Sequence, residues 1–165
     1  MGVEALNAMP ADRLERELLA CCASPAWAGG IAAGRPYAGR AELLAAADAA
    51  ARRLPWPEVS RALAAHPRIG ERAEGASRAA EWSRREQATA AGDPARAELV
   101  EANKVYEDRF GHVFLIFASG RSQAEILAAA RERLGNDEET ERAIVADQLR
   151  RIAMLRLERL LDALG

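Results

Sequence analysis

The sequence predicts an all-α protein: a single-domain bundle of about seven to eight helices, with a long C-terminal helix and one short extended apolar segment near 112–118. Two observations carry this prediction. Half of the residues are apolar, yet only 5% are aromatic and alanine recurs throughout. That composition suits closely packed helices better than sheets of bulky, branched side chains. Helix start and stop signals also return at regular intervals along the chain. With 165 residues and 17.8 kDa, the chain can bury a core without disulfides or a structural metal. No internal repeat or low-complexity linker divides it, so 1–165 is expected to form one domain.

The elements follow in order. Pro10 and Asp12 precede Leu14, Leu18 and Leu19, and proline suits a first helical turn, so a helix starts here and ends near Ser24 and Pro25. The stretch AWAGGIAAGRPYAGR is rich in Gly and Pro and reads as a short broken helix and loop. An alanine-rich helix follows from Arg40 to Leu54, then a corner at Pro55-Trp56-Pro57, then a helix from Pro57 to Ala65. That helix stops at His66 because the residue before a proline is pushed out of the α region. Residues 78–91 read as helical, and Gly92-Asp93-Pro94 punctuate before a helix that runs to Phe110 and Gly111. The apolar HVFLIFASG could be a strand, but a lone strand has no partner, so a buried extended segment is the better reading. Ser122 and Glu125 form a capping box for a helix ending at Leu134-Gly135. Asn136 and the acids after it open a last helix of about 28 residues, reaching Leu164.

Composition also excludes functions. The 23 basic residues are interleaved with 25 acidic ones for a net charge of -2, which gives no sustained basic surface for nucleic acid. No apolar run approaches the roughly 20 residues of a membrane span and no leader pattern opens the chain, so a cytoplasmic location is expected. Cys21 and Cys22 are adjacent, unsuited to an ordinary disulfide or a zinc knuckle, and read as packing thiols in a reducing compartment. With two histidines and that cysteine pair, no metal constellation of the usual kind can be assembled, and a glycine-rich phosphate loop is absent.

Candidate chemistry concentrates at a few places. Only His66 and His112 start with a pKa near neutrality. His66 sits where a helix gives way to an X-Pro turn, either as a fixed proton-transfer group or as a helix-end cap. His112, after a glycine and before an apolar run, reads as a packing residue. Ser83, Glu86 and Gln87 stand at i, i+3 and i+4, which gathers a hydroxyl, a carboxylate and an amide on one helix face, for a small polar ligand or for solvent. Val145, Leu149, Ile152, Arg156 and Leu160 step by helical spacing, so a guanidinium falls in an apolar stripe. It either snorkels, pairs with a core carboxylate, or binds an anion at a pocket floor. Asn103, Tyr106 and Arg109-Phe110-Gly111 fit packing plus a glycine cap.

HPRIG at 66–70, S-x-x-E-Q at 83–87, N-x-x-Y-x-x-R-F-G at 103–111, FLIFASGRS at 114–122 and IAMLRLERL at 152–160 together resemble the OHCU decarboxylase family. OHCU is 2-oxo-4-hydroxy-4-carboxy-5-ureidoimidazoline, an intermediate of urate degradation. Arg35-Pro36-Tyr37 is similar to the family's R-P-F. The resemblance spans nearly the whole chain and implies an all-helical homodimer, a carboxy-lyase that converts OHCU to (S)-allantoin and carbon dioxide without a cofactor. Carried over by position, it implies that His66 and Glu86 are catalytic. It implies that Pro67, Ser83, Arg84, Arg85, Glu86, Gln87, Phe114, Leu115, Ile116, Phe117, Ala118 and Arg156 contact substrate. The alternative from a different class is a non-catalytic helical interaction module, with the long last helix as its partner surface.

Overall fold

The computed structural model describes residues 2–68, Trp82, Arg85 and 96–165. Among these it is all-helical, with eight helices and no strand. The chain divides into two compact units, residues 1–62 with 149–165, and residues 63–148.

The first unit opens with α1 (Gly2–Ala8), a helix the sequence reading does not contain, followed by α2 (Ala11–Cys21), α3 (Pro25–Ala33) and α4 (Arg40–Arg52). It also holds α5 (Trp56–Leu63) up to Ala62. α2 packs on α3, α3 on α4, and α1 on α4. Ser24 and Pro25 do not end α2, as expected from sequence, but begin α3. The Ser24 hydroxyl accepts from the Trp27 N–H at 3.2 Å and donates to Glu58 Oε2 at 2.9 Å, and Pro25 sits where its missing N–H costs nothing. Nor is α3 broken: Gly29 and Gly30 stay helical because Trp27, Ala28 and Ile31 are buried around them, and tertiary packing outweighs a cost of about 1 kcal/mol per glycine. Trp27 Nε1 donates to Ala47 O on α4 at 3.0 Å.

The Arg35-Pro36-Tyr37 motif is a strap. Arg35 NH1 reaches the carbonyls of Leu6, Asn7 and Met9 at 3.1, 3.3 and 2.5 Å, serving the orphan acceptors at the end of α1. The Asn7 side chain donates to Tyr37 O and accepts from Tyr37 N, both at 2.9 Å. A Cβ at Gly34 would lie 2.5 Å from the Tyr37 hydroxyl, so a larger residue there has to displace that hydroxyl from its bond to Ile31 O at 2.7 Å.

The second unit contains α6 (Arg96–Phe110) and α7 (Gln123–Arg133), which pack on each other, and α8 (Glu138–Leu164) up to Gln148. The helix read over 78–91 lies outside the described residues apart from Trp82 and Arg85, both helical. Gly111, at φ +78, ends α6 with its N–H on Glu107 O at 2.8 Å, the glycine cap that the sequence indicates. The extended apolar segment follows as expected. Phe114, Ile116 and Ala118 join Leu99, Tyr106, Ile126 and Ala130 in one buried cluster, the period-two pattern of an extended chain. A turn with Gly120 at φ +79 and Arg121 N–H on Ala118 O at 3.0 Å reverses the chain. The capping box then starts α7, with both reciprocal Ser122–Glu125 bonds at 3.1 Å. Asp137 caps α8 by accepting from the Thr140 N–H at 2.7 Å.

Candidate active site

α5 ends at Leu63, and the His66 N–H donates to Leu63 O at 3.0 Å, closing a turn that delivers the chain into Pro67. His66 and Pro67 are half-buried. Arg68, exposed, donates through Nε to Glu107 Oε1 of α6 at 2.7 Å, so the turn is tied to the helix that precedes the extended segment. The imidazole therefore rises from a turn closed on its N-terminal side by the bond to Leu63 O and followed by the proline ring and the Arg68 ion pair.

The extended segment belongs to the same unit. Phe114, Leu115, Ile116 and Ala118 are buried and Phe117 is half-buried. Its polar backbone groups lack the bonds that a helix makes within itself and are met by side chains instead. Leu115 O accepts from Arg133 NH1 at 2.7 Å, the Phe117 N–H donates to Gln148 Oε1 at 2.8 Å, and Phe117 O accepts from Arg121 Nε at 3.0 Å. In an extended chain the peptide groups of residues 115 and 117 point to one side and those of 114, 116 and 118 to the other. One edge is thus clamped by side chains of α7 and α8.

Arg133 is itself held. Its guanidinium donates to both oxygens of Glu141, with NH2 to Oε2 at 2.5 Å, and stacks over the Phe114 ring at 4.6 Å. Glu141 is fully buried and also accepts from the Tyr106 hydroxyl and from Asn136 Nδ2. Burial and the bond to Glu141 push the Tyr106 phenol well above its ordinary pKa, so it remains a donor. Neither Arg133 nor Glu141 stands out in the sequence. Both read as ordinary helix-end charges, and only Tyr106 carries a motif signal.

Arg156 lies on α8 in the first unit and is 3% exposed, alongside the buried Leu149, Ile152 and Leu160. Its NH1 donates to Ala20 O at 3.3 Å, one of the last carbonyls of α2, where a cation suits the helix end. Burial pushes the neighbouring Cys22 thiol up to about 12, against the lowering effects of a hydrogen bond to the Ser24 backbone and of the Arg156 charge. Both thiols are buried outside any disulfide, as packing thiols should be, and Cys21 Sγ donates to Glu17 O at 3.6 Å. His112 packs edge-on to Tyr106 at 5.6 Å and stacks with Phe110 at 6.1 Å, which agrees with a packing role.

His66, Pro67 and Phe114–Ala118 therefore share the second unit, and Arg156 belongs to the first. Arg85 is exposed and Trp82 beside it buried. Ser83, Arg84, Glu86 and Gln87 lie outside the described residues. No helix among the described residues is long and apolar enough to cross a membrane.

The chain is similar throughout to proteins of one kind. The family model described as OHCU decarboxylase matches residues 7–158. The 2-oxo-4-hydroxy-4-carboxy-5-ureidoimidazoline decarboxylase of Amia calva is 32% identical over 140 residues, 81% of this chain and 79% of that protein. The uric acid degradation bifunctional protein TTL of Arabidopsis thaliana is 33% identical over 152 residues, 88% of this chain, and this chain spans only 47% of its length. A crystal structure of OHCU decarboxylase in the presence of (S)-allantoin superposes with a TM-score of 0.76 at 31% identity, over 88% of this chain and 97% of that one. A crystal structure of (S)-allantoin synthase shares the fold, with a TM-score of 0.65 at 19% identity over 96% of this chain and 53% of that one. On this family-model match, over residues 7–158, the chain belongs to the OHCU decarboxylase family.

Proposed function

We propose that this chain decarboxylates OHCU to (S)-allantoin and carbon dioxide in urate degradation, working as one domain over residues 1–165. The likeness to the structure determined in the presence of (S)-allantoin, which covers 97% of that chain, is the observation that carries the reading. Cleavage of the bond to the carboxylate leaves an electron pair that the ring's own imine and carbonyl system takes up, so the reaction asks of the protein orientation and a proton. His66, on its fixed turn, exchanges that proton with the substrate, and delivery from one face sets the configuration of the product. Glu86 accepts from ureido or ring N–H groups, and Ser83, Arg84, Arg85 and Gln87 complete the polar clamp with Pro67 at its lip.

The extended segment supplies main-chain groups. With Leu115 O and the Phe117 N–H held by Arg133 and Gln148, the opposite edge, formed by Phe114, Ile116 and Ala118, is the one offered to ring oxygens. Arg156, at the position of the family's pocket arginine, holds an anionic or carbonyl oxygen. We further propose a homodimer, which the family resemblance supports, in the cytoplasm, the reducing compartment that the buried Cys21 and Cys22 thiols suit. The direct test adds the protein to freshly generated OHCU and measures released carbon dioxide. One equivalent per OHCU, released faster than in buffer alone, is expected. A rate equal to the spontaneous one would overturn the reading.

A further inference from the structure

We infer that Arg133, Glu141 and Tyr106 are positioning residues for the 114–118 segment, holding its ligand-facing edge in register. The inference rests on the reading that this segment contacts substrate. A buried ion pair is an expensive way to fill a helical core, and apolar side chains of similar volume often serve stability as well or better. Here the pair does something apolar residues cannot. Arg133 spans two targets at once, the Leu115 carbonyl at 2.7 Å through NH1 and the Glu141 carboxylate through Nε and NH2. A planar fork has that reach and a lysine does not.

Glu141, fully buried, fixes the direction of the fork. The Tyr106 hydroxyl and Asn136 Nδ2 occupy further acceptor sites of the carboxylate, so it is held as firmly as the arginine it holds. The Phe114 ring under the guanidinium at 4.6 Å completes the cradle. Two residues on, Gln148 fixes the Phe117 N–H at 2.8 Å. Residue 116 lies between these two anchors, and its peptide groups point the other way.

The test replaces the network with apolar side chains of similar size in one variant, Tyr106→Phe/Arg133→Met/Glu141→Leu, so that no buried charge or hydroxyl is left stranded. It is accompanied by Arg133→Lys, which keeps the cation and loses the fork. Melting temperature, KM and kcat for OHCU, and hydrogen exchange of the amides of 114–118 are measured. Positioning predicts a triple variant that melts near the wild-type temperature. Its KM should rise about tenfold, the scale of losing a charged hydrogen bond, with kcat within about threefold of wild type. Exchange should be faster at 114–118 than elsewhere, and Arg133→Lys should show the same pattern. A purely structural role predicts a smaller folded fraction, hence lower apparent kcat, at unchanged KM and with uniform exchange. That result in either variant overturns the inference and leaves the proposed activity standing. Wild-type protein that fails to turn over OHCU overturns the activity, and the inference falls with it.

Discussion

Replacing Arg156 by methionine separates the two roles that its position allows. The guanidinium is 3% exposed and gives NH1 to Ala20 O at 3.3 Å. Losing that bond leaves a helix-end carbonyl short of a donor, at a cost of about 1 to 3 kcal/mol. Against it stands the desolvation of a buried cation, about several kcal/mol, which methionine of similar length does not incur. The two terms cancel or favour the variant, so Arg156→Met should melt at or above the wild-type temperature. Function should move the other way. Wild type with (S)-allantoin at about a hundredfold its Kd gains about 2.7 kcal/mol, a shift of roughly 5 to 11 °C for a chain of this size. The variant should show little of that shift and turn over OHCU roughly a hundredfold more slowly or worse. Thermal melts with and without allantoin, beside an OHCU rate on the same sample, decide it. A strongly destabilised variant whose folded fraction keeps full turnover would refute the reasoning and leave Arg156 as a cap on α2.

Three further outcomes are expected. Glu86→Ala should weaken allantoin binding by about 1.5 to 3 kcal/mol, and Glu86→Gln, which turns a donor toward ligand N–H groups, should do little better; unchanged affinities by calorimetry would return that helix face to solvent. Cys21 and Cys22 should resist alkylation at pH 7 to 8 in the folded protein, since both are buried and the Cys22 thiol is pushed up to about 12; labelling by mass spectrometry at the rate of the unfolded chain would contradict this. Hydrogen bonds from Arg52 and then Arg150 hold the Asp48 carboxyl below its ordinary pKa, so its contribution is present above the unfolded value of about 3.9 and lost as pH falls through the lower folded value. Asp48→Asn should therefore cost at most about 1 kcal/mol at pH 7 and nothing in strong acid, and a destabilisation that persists unchanged at pH 2 would argue against the ion pairs.

The sequence discloses what is local. The capping box at Ser122 and Glu125, the glycine cap at Gly111 and the apolar stripe that includes Arg156 are patterns within a few residues, and each is found in place. What it conceals depends on distant partners. α1 is seven residues long, too short to announce itself by periodicity, and its end is served by Arg35, 26 to 29 residues away. Ser24 follows one helix closely and precedes another, and only its bonds to Trp27 and Glu58 decide which it serves. Arg133 and Glu141 are eight residues apart on different helices, and nothing in the local pattern of charges marks them as a buried pair. The extended segment is legible as apolar and non-helical, but the clamp that orients its edges is not. Of the proposed site, His66, Pro67 and Arg156 stand out by local anomaly, a histidine against a helix-stopping proline and a cation in an apolar stripe.

The central claim is stereospecific decarboxylation with His66 as the proton-transfer group. Circular dichroism of allantoin forming from freshly generated OHCU, recorded with wild type and with His66→Asn at equal folded concentration, tests it most directly. The account predicts rapid growth of the (S)-allantoin signal with wild type. With the variant, growth should be slower by roughly a hundredfold or more, the usual scale for an acid-base group. Racemic product from wild type, or an undiminished (S)-allantoin signal from the variant, would contradict it.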